Sequence, residues 1–436
     1  MKFNFIICLF FTVFLNGQIL SERDRALLRD EILEDRFNNL LPRLMDQTGI
    51  DMWLVISREY NEDPVMRTML PSTWLNARRR TILLFYRDKE KNTIEKLAIA
   101  RYNVGSNIQS AWNKEDQPDQ WLALVNMIKE KNPNKIGINT STYFNIADGL
   151  VKTDYDELVT VLPKNYQDKL VSAEKLAIAW IETRTEKEME LYDTLVQITH
   201  DIIAEAFSGK VIEAGKTSSE EVVWWMRQKV TDLGLETWFH PTVDIQRKEE
   251  PLKSHIESFS KGEKSEVIMP GDLLHCDFGI TYIGLNTDCQ QHAYVPQKNE
   301  ISVPEFLRDA FKKGNRVQDI FTGNFVQGRT GNEILLKSLS EAKAEGLKPS
   351  IYTHPLGSYG HSAGTTFGMW DSQDGVPVNG DYPLQFNTVY AIELNTTVNI
   401  PEWGKDIRIM LEEAGYFGKE GFRYVKDRQN DIRLVK

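Results

Sequence analysis

Four carboxylates and a few histidines carry the chemistry this sequence could perform. Asp277 closes the run GDLLHCD that begins at Gly271, and Asp288 closes GLNTD, eleven residues further on. Gly279 and Gly284 lie between them, where the chain can turn. Adjacent antiparallel strands would therefore aim both side chains into one pocket, where paired like charges favour a cation. His354 and His361 frame the pattern H-x-x-G-x-x-x-H, Glu393 ends the strand-like run TVYAIE, and Glu412 follows IRIML. One imidazole and four carboxylates from separate β segments suit a pair of hard or borderline divalent ions.

Two other motifs mislead. Gly215-Lys216-Thr217 looks like the end of a phosphate-binding loop, but the position five residues earlier is Lys210, not glycine. Thr217 with Glu220 reads better as the capping box of a helix. The run GHSAG from Gly360 to Gly364 matches a nucleophile elbow, whose serine needs an acid and then a histidine downstream. No histidine follows His361, so Ser362 has no such base.

The elements that must position these groups follow from periodicity. Apolar spacing between Ser21 and Gly49 is helical. The runs Met52–Ser57, Thr81–Tyr86, Lys96–Ala100 and Lys135–Asn139 read as strands, with a helix near Trp121–Lys131 between the last two. This is an α/β domain, and Arg78–Arg80 forms an ion-paired or solvated edge of it. Helices are expected near Glu182–Ser208, Ser218–Leu233, Val303–Phe325 and Gly331–Gly346, among β-rich segments at Glu266–Asp277, Gly284–Val295, Thr388–Val398 and Ile407–Phe417. All seven histidines (His200, His240, His255, His275, His292, His354 and His361) fall in this second half, which places the imidazole chemistry there. His275 is expected to hydrogen-bond beside the site rather than to ligate.

With the Asp pair, the H-x-x-G-x-x-x-H and the two glutamates in this order, the sequence resembles the pita-bread metallopeptidases: Xaa-Pro aminopeptidases, prolidases and methionine aminopeptidases. The resemblance implies a mixed α+β chain. Residues 21–172 would form a creatinase/prolidase-like N-terminal domain and residues 173–436 a pita-bread catalytic domain. It implies two divalent metal ions, manganese first among manganese, cobalt, zinc and iron. Asp277 would hold the first, Asp288 and Glu412 would bridge, and His354 and Glu393 would complete the second. A metal-bridged hydroxide would remove the N-terminal residue of peptides, foremost at Xaa-Pro bonds. His361 would contact substrate, and His255 would match the histidine facing it, with His240 as the alternative. A prolidase-like dipeptidase, a metal-free creatinase-type hydrolase and a non-catalytic peptide-binding module are the rival readings. The chain departs from the family in two places. Arg408 stands four rather than two residues before Glu412, and Cys-Gln-Gln-His follows Asp288 where Thr-Arg is common.

The register carries one more expectation. If Asp277 faces Asp288 across the strand pair, Cys276 faces Cys289 on the other side, as a cross-strand disulfide or two buried thiols. Composition sets the remaining bounds. The 436 residues suffice for two or three domains, and 63 acidic against 52 basic residues give a net charge of −11, which argues against nucleic acid. Three cysteines make no disulfide framework. The apolar run from Phe3 to Leu15, after Lys2, is too short to span a bilayer and reads as a secretory signal over residues 1–20. A secreted or periplasmic protein without a membrane span is the resulting expectation, to which the family resemblance adds peptide substrates and a homodimer.

Overall fold

The runs MWLVISR and RTILLFYRD form the centre of the first sheet as β1 (Met52–Arg58) and β2 (Arg80–Asp88), antiparallel from Met52–Tyr86 to Arg58–Arg80. Strand alternation sends Trp53 and Val55 to one face, against Phe37, Leu41 and Trp180. It sends Met52, Leu54 and Ile56 to the other, against Trp121, Leu124 and Ile128. β3 (Thr93–Ala98), β4 (Gln109–Ser110), β5 (Ile136–Ile138) and β6 (Leu170–Ser172) complete a mixed sheet in the order β4-β3-β2-β1-β5-β6. Arg80 pairs with Asp154 and Glu157, as expected of an ion-paired edge. This computed structural model describes residues 19–254 and 265–436. The apolar run at the N-terminus and His255 lie outside the described residues.

The second half adds β7 (Thr242–Gln246), β8 (Leu273–Phe278), β9 (Thr281–Tyr282), β10 (Leu285–Asn286), β11 (Cys289–Tyr294), β12 (Pro349–Ile351), β13 (His354–Leu356), β14 (Thr388–Ala391), β15 (Leu394–Ile400), β16 (Lys405–Leu411), β17 (Ala414–Gly418), β18 (Gly421–Tyr424) and β19 (Arg433–Leu434). They form sheets β19-β11-β8-β7, β12-β15-β16 and β13-β14-β17-β18, plus the hairpin β9-β10. Among the described residues, no helix is long and apolar enough to cross a membrane.

Local chemistry corrects three sequence expectations. The helical run before Gly49 is two α-helices, Glu22–Asp35 and Leu41–Thr48, joined by a π-helical turn, Arg36–Leu40, which carries Arg36 and Phe37 into the interior. The charged helix expected from Glu182 starts at Glu186, because Thr185 and Glu188 form a capping box; a separate helix, Glu174–Glu182, precedes it. The next capping box is Ser218 with Glu221, one residue beyond the expected pair, and the Thr217 hydroxyl instead accepts from the Glu213 amide.

Glu182 sits where the halves meet and is buried. Tyr382 donates to its Oε1 at 3.2 Å, while Oε2 has no partner. Burial pushes its carboxyl up to about 8, against the Tyr382 hydrogen bond and the Arg184 charge, which pull it down. The folded protein therefore keeps a proton that the unfolded chain releases above its ordinary value of 4.5, so this site loses stability as pH rises from there through about 8. Glu182→Gln has no such slope. Its stability advantage over wild type is expected to be small near pH 5 and to grow to a few kcal/mol near pH 8, at most about 1.4 kcal/mol per pH unit. Urea unfolding at the two pH values measures it, and a pH-independent difference would refute it.

Candidate metal centre

The site is built on one row of residues that crosses three strands and ends at an isolated bridge. Thr242 of β7 lies opposite Asp277 of β8, and Asp277 lies opposite Gln290 of β11. Gln290 forms a bridge in turn with Glu412, each backbone amide donating to the other's carbonyl, at 2.9 and 3.3 Å. The neighbouring row on the same face is Asp244, His275 and His292, with the Met410 amide donating to His292 Nε2.

This register differs from the expected one, and the turn explains why. β9 and β10 pair through the two-residue turn Ile283-Gly284, where both φ values are positive, 51° and 80°. Such a turn matches strand twist and fixes the pairing of everything beyond it. Its centre places Asp277 opposite Gln290 rather than Asp288, and Cys276 opposite Gln291 rather than Cys289. The two thiols are thus diagonal rather than facing neighbours on the core face, and both are free and buried.

Glu393 and Glu412 arrive from breaks between strands. β14 ends at Ala391 and β15 begins at Leu394 in a different sheet; β16 ends at Leu411 and β17 begins at Ala414, likewise across sheets. The Ile392 amide donates to the Glu413 carbonyl at 2.9 Å where the two crossings meet. His354 opens β13 opposite Ala391. The Asn286 amide ties the aspartate hairpin to the loop after His354 by donating to the Gly357 carbonyl at 2.9 Å.

All five expected donors converge. Donor atoms of Asp288, His354 and Glu412 lie within 4.8 Å of one another, and so do those of Asp277, Glu393 and Glu412. Of the two residues expected to bridge, Glu412 is common to both groups, whereas Asp288 falls only in the group with His354. Glu393, expected beside His354, falls instead in the group with Asp277. Asp277 Oδ1, Asp288 Oδ1, His354 Nε2 and Glu412 Oε1 are buried without hydrogen-bond partners, an arrangement native interiors rarely leave uncompensated. His354 Nδ1 donates to the Pro355 carbonyl at 3.0 Å, which leaves the Nε2 lone pair facing Asp288 Oδ2 and Glu412 Oε1, each 3.6 Å away. Burial, then the Asp288 and Glu393 charges, holds the Asp277 carboxyl well above the usual range. Burial, then Asp288 and Asp277, does the same to Glu412. The donor set and its unpaired atoms fit divalent cations.

The surrounding residues fall into place. His361 packs edge-on to His354, ring centroids 4.6 Å apart, and to Trp238 at 5.2 Å. The Trp238 indole donates to the Thr287 carbonyl at 2.8 Å. His240 instead contacts Trp224 and Arg227. His275 hydrogen-bonds beside the site, its Nε2 2.9 Å from Gln290 Oε1. Glu413 points away from the donors and pairs with His200 at 2.6 Å, while Gln291 donates to it at 3.0 Å. The glycines of GHSAG serve packing: a Cβ at Gly360 would lie 2.3 Å from the Trp238 ring, and one at Gly364 2.9 Å from Glu182 Oε2. Ser362 lies in irregular loop, not at a strand-to-helix elbow. Sequence reasoning missed the parts played by Gln290 and Trp238; only the register reveals the first.

Residues 181–412, more than half of the chain, match metallopeptidase family M24. By structure, the chain is similar to the X-Pro aminopeptidase from Thermotoga maritima MSB8, with 15% identity and a TM-score of 0.63 over 90% of this chain and 100% of that one. It is similar to the Xaa-Pro dipeptidase from Bacillus anthracis, with 17% identity and a TM-score of 0.57 over 94% and 100%. It is also similar to the N-terminal domain of FACT complex subunit SPT16 from Cicer arietinum, with 11% identity and a TM-score of 0.55 over 95% and 99%. Such identities establish the fold, the two-domain pita-bread architecture expected from sequence. No curated protein matches by sequence.

Proposed function

The chain belongs to metallopeptidase family M24, and on that premise we propose that it is an exported aminopeptidase that uses two divalent cations to remove the N-terminal residue from Xaa-Pro peptides. The observation that carries the reading is the convergence of five donors with four of their buried atoms unpaired. The names of the X-Pro aminopeptidase and Xaa-Pro dipeptidase that share the fold along their whole length support the substrate class. The apolar run after Lys2 supports export.

Asp277, Asp288, His354, Glu393 and Glu412 would hold the cations. When bound, such a pair lowers the pKa of a water towards neutrality and polarises the scissile carbonyl. The protein supplies the rest. His354, fixed as its Nδ1–H tautomer by Pro355, keeps a bare Nε2 at the centre. His361, edge-on to His354 and walled by Trp238, would donate a ring N–H to the carbonyl oxygen as charge develops there.

The test combines metal analysis with rates on Xaa-Pro dipeptides and longer Xaa-Pro peptides. Expected are bound cations, release of the N-terminal residue, loss of turnover on chelation and recovery with Mn2+. Ser362→Ala should stay within about twofold of wild type. Full activity in metal-free protein would overturn the mechanism. Turnover confined to dipeptides would instead assign a dipeptidase.

A further inference from the structure

We propose that Gln290 is a positioning residue that sets Glu393 and Glu412 at the spacing a cation requires, with His275 fixing the direction of its amide. The proposal rests on the two-cation reading above. Gln290 stands in the row between the candidate ligands Asp277 and Glu412 without being one itself, and its backbone pairs with both. Its Nε2 lies 2.6 Å from Glu393 Oε1 and 3.0 Å from Glu412 Oε2. A carboxamide nitrogen has two hydrogens, so it can donate to both carboxylates at once. Each glutamate thereby gives one oxygen to the amide, and Glu412 Oε1 stays unpartnered.

The amide has only one workable orientation. Reversed, its oxygen would face two carboxylates. The two carboxylates exclude this, and His275 reinforces the choice: facing the amide oxygen Oε1 at 2.9 Å, its Nε2 is the donor. His275 is buried in the next row, opposite His292, with ring centroids 5.2 Å apart. His292 is itself locked, its Nδ1 donating to the Leu274 carbonyl and its Nε2 accepting from the Met410 amide, both at 3.0 Å. A neutral donor between two carboxylates offsets their repulsion without adding a charge or a competing ligand. It also accounts for Glu393 standing with Asp277 and Glu412 rather than with His354.

Gln290→Met keeps length and volume and removes both donors. Mn2+ is titrated calorimetrically into chelator-stripped protein, and circular dichroism and the midpoint of thermal unfolding report the fold. Wild type is expected to bind two Mn2+. In the variant one of the two sites should weaken about 10–100-fold, the usual effect of losing a residue that orients a ligand, while the other changes little. Gln290→Asn, too short to span both glutamates, should weaken the same site if the methionine variant fails to fold. His275→Leu should weaken that site and His275→Gln, which restores a donor, should largely recover it. Unchanged affinities at both sites would overturn the proposal. Equal weakening of both, accompanied by a lower unfolding midpoint in stripped protein, would also overturn it, since it marks a purely structural role. A wild type that binds no Mn2+, Co2+ or Zn2+ would instead overturn the two-cation reading, before any variant is compared.

Discussion

Glu412→Gln is expected to lower peptide hydrolysis about a thousandfold or more while stabilising the chelator-treated protein. The two effects share one cause. Glu412 is 1% exposed, belongs to both donor groups and keeps Oε1 without a partner. Burial and the Asp288 and Asp277 carboxylates hold its carboxyl well above the usual range, so stripped protein must either keep this charge against their repulsion or take up a proton to relieve it. The amide removes that repulsion, and its oxygen can still accept from Gln290, which donates to Glu412 Oε2 at 3.0 Å. A gain of about 1–2 kcal/mol in unfolding free energy is the expected scale. With Mn2+ in excess the sign reverses, because the variant forgoes stabilisation that reaches about 4 kcal/mol per site at a thousandfold excess over the dissociation constant. Calorimetry with chelator and with Mn2+ reads both. A variant destabilised equally in the two conditions would show that Glu412 holds the fold rather than a cation.

Arg36→Met is expected to destabilise the whole protein by about 3 kcal/mol, because Glu188 loses one of its two buried guanidinium partners and the Thr183 and Trp180 carbonyls lose a donor. Arg36 enters the interior from the π-helical turn and is 4% exposed. Its Nη1 donates to Glu188 Oε2 at 2.8 Å and to the Thr183 carbonyl at 2.9 Å, and its Nη2 to the Trp180 carbonyl. Arg184 donates to the other oxygen of Glu188 at 2.9 Å, and Glu188 also caps the helix that begins at Glu186. Burial lowers the Arg36 guanidinium to about 10 against the pull of Glu188, so it remains charged at neutral pH. Arg36→Lys should recover only part of the loss, because an ammonium cannot donate in a planar fork to three acceptors. Urea unfolding measures both variants. A loss below about 1 kcal/mol would mean that the network contributes orientation without stability.

The five donors were legible in sequence because carboxylates and an imidazole at strand ends are informative by type, and Glu412 over Glu413 followed from alternation alone. The pairing between strands was not legible. It depends on Ile283 adopting a positive φ, a conformation that a β-branched residue takes only when the surrounding structure imposes it. That single turn moved Asp288 out of the row and Gln290 into it. The breaks at Glu393 and Glu412 were hidden for a related reason: TVYAIELNTTV and IRIMLEEAGYF read as uninterrupted β runs, and only tertiary pairing cuts them. β7 escaped notice because TVDIQ is short and half polar.

Those breaks have a mechanical meaning. At Glu393 and at Glu412 the chain passes from one sheet to another, and the two passages run side by side, joined by the Ile392–Glu413 hydrogen bond. An ion gripped by both glutamates would rivet the seam between the sheets from within. Stripping it would then do more than silence the enzyme: it would free two crossings at once, and the seam is where a protease should first find the chain open.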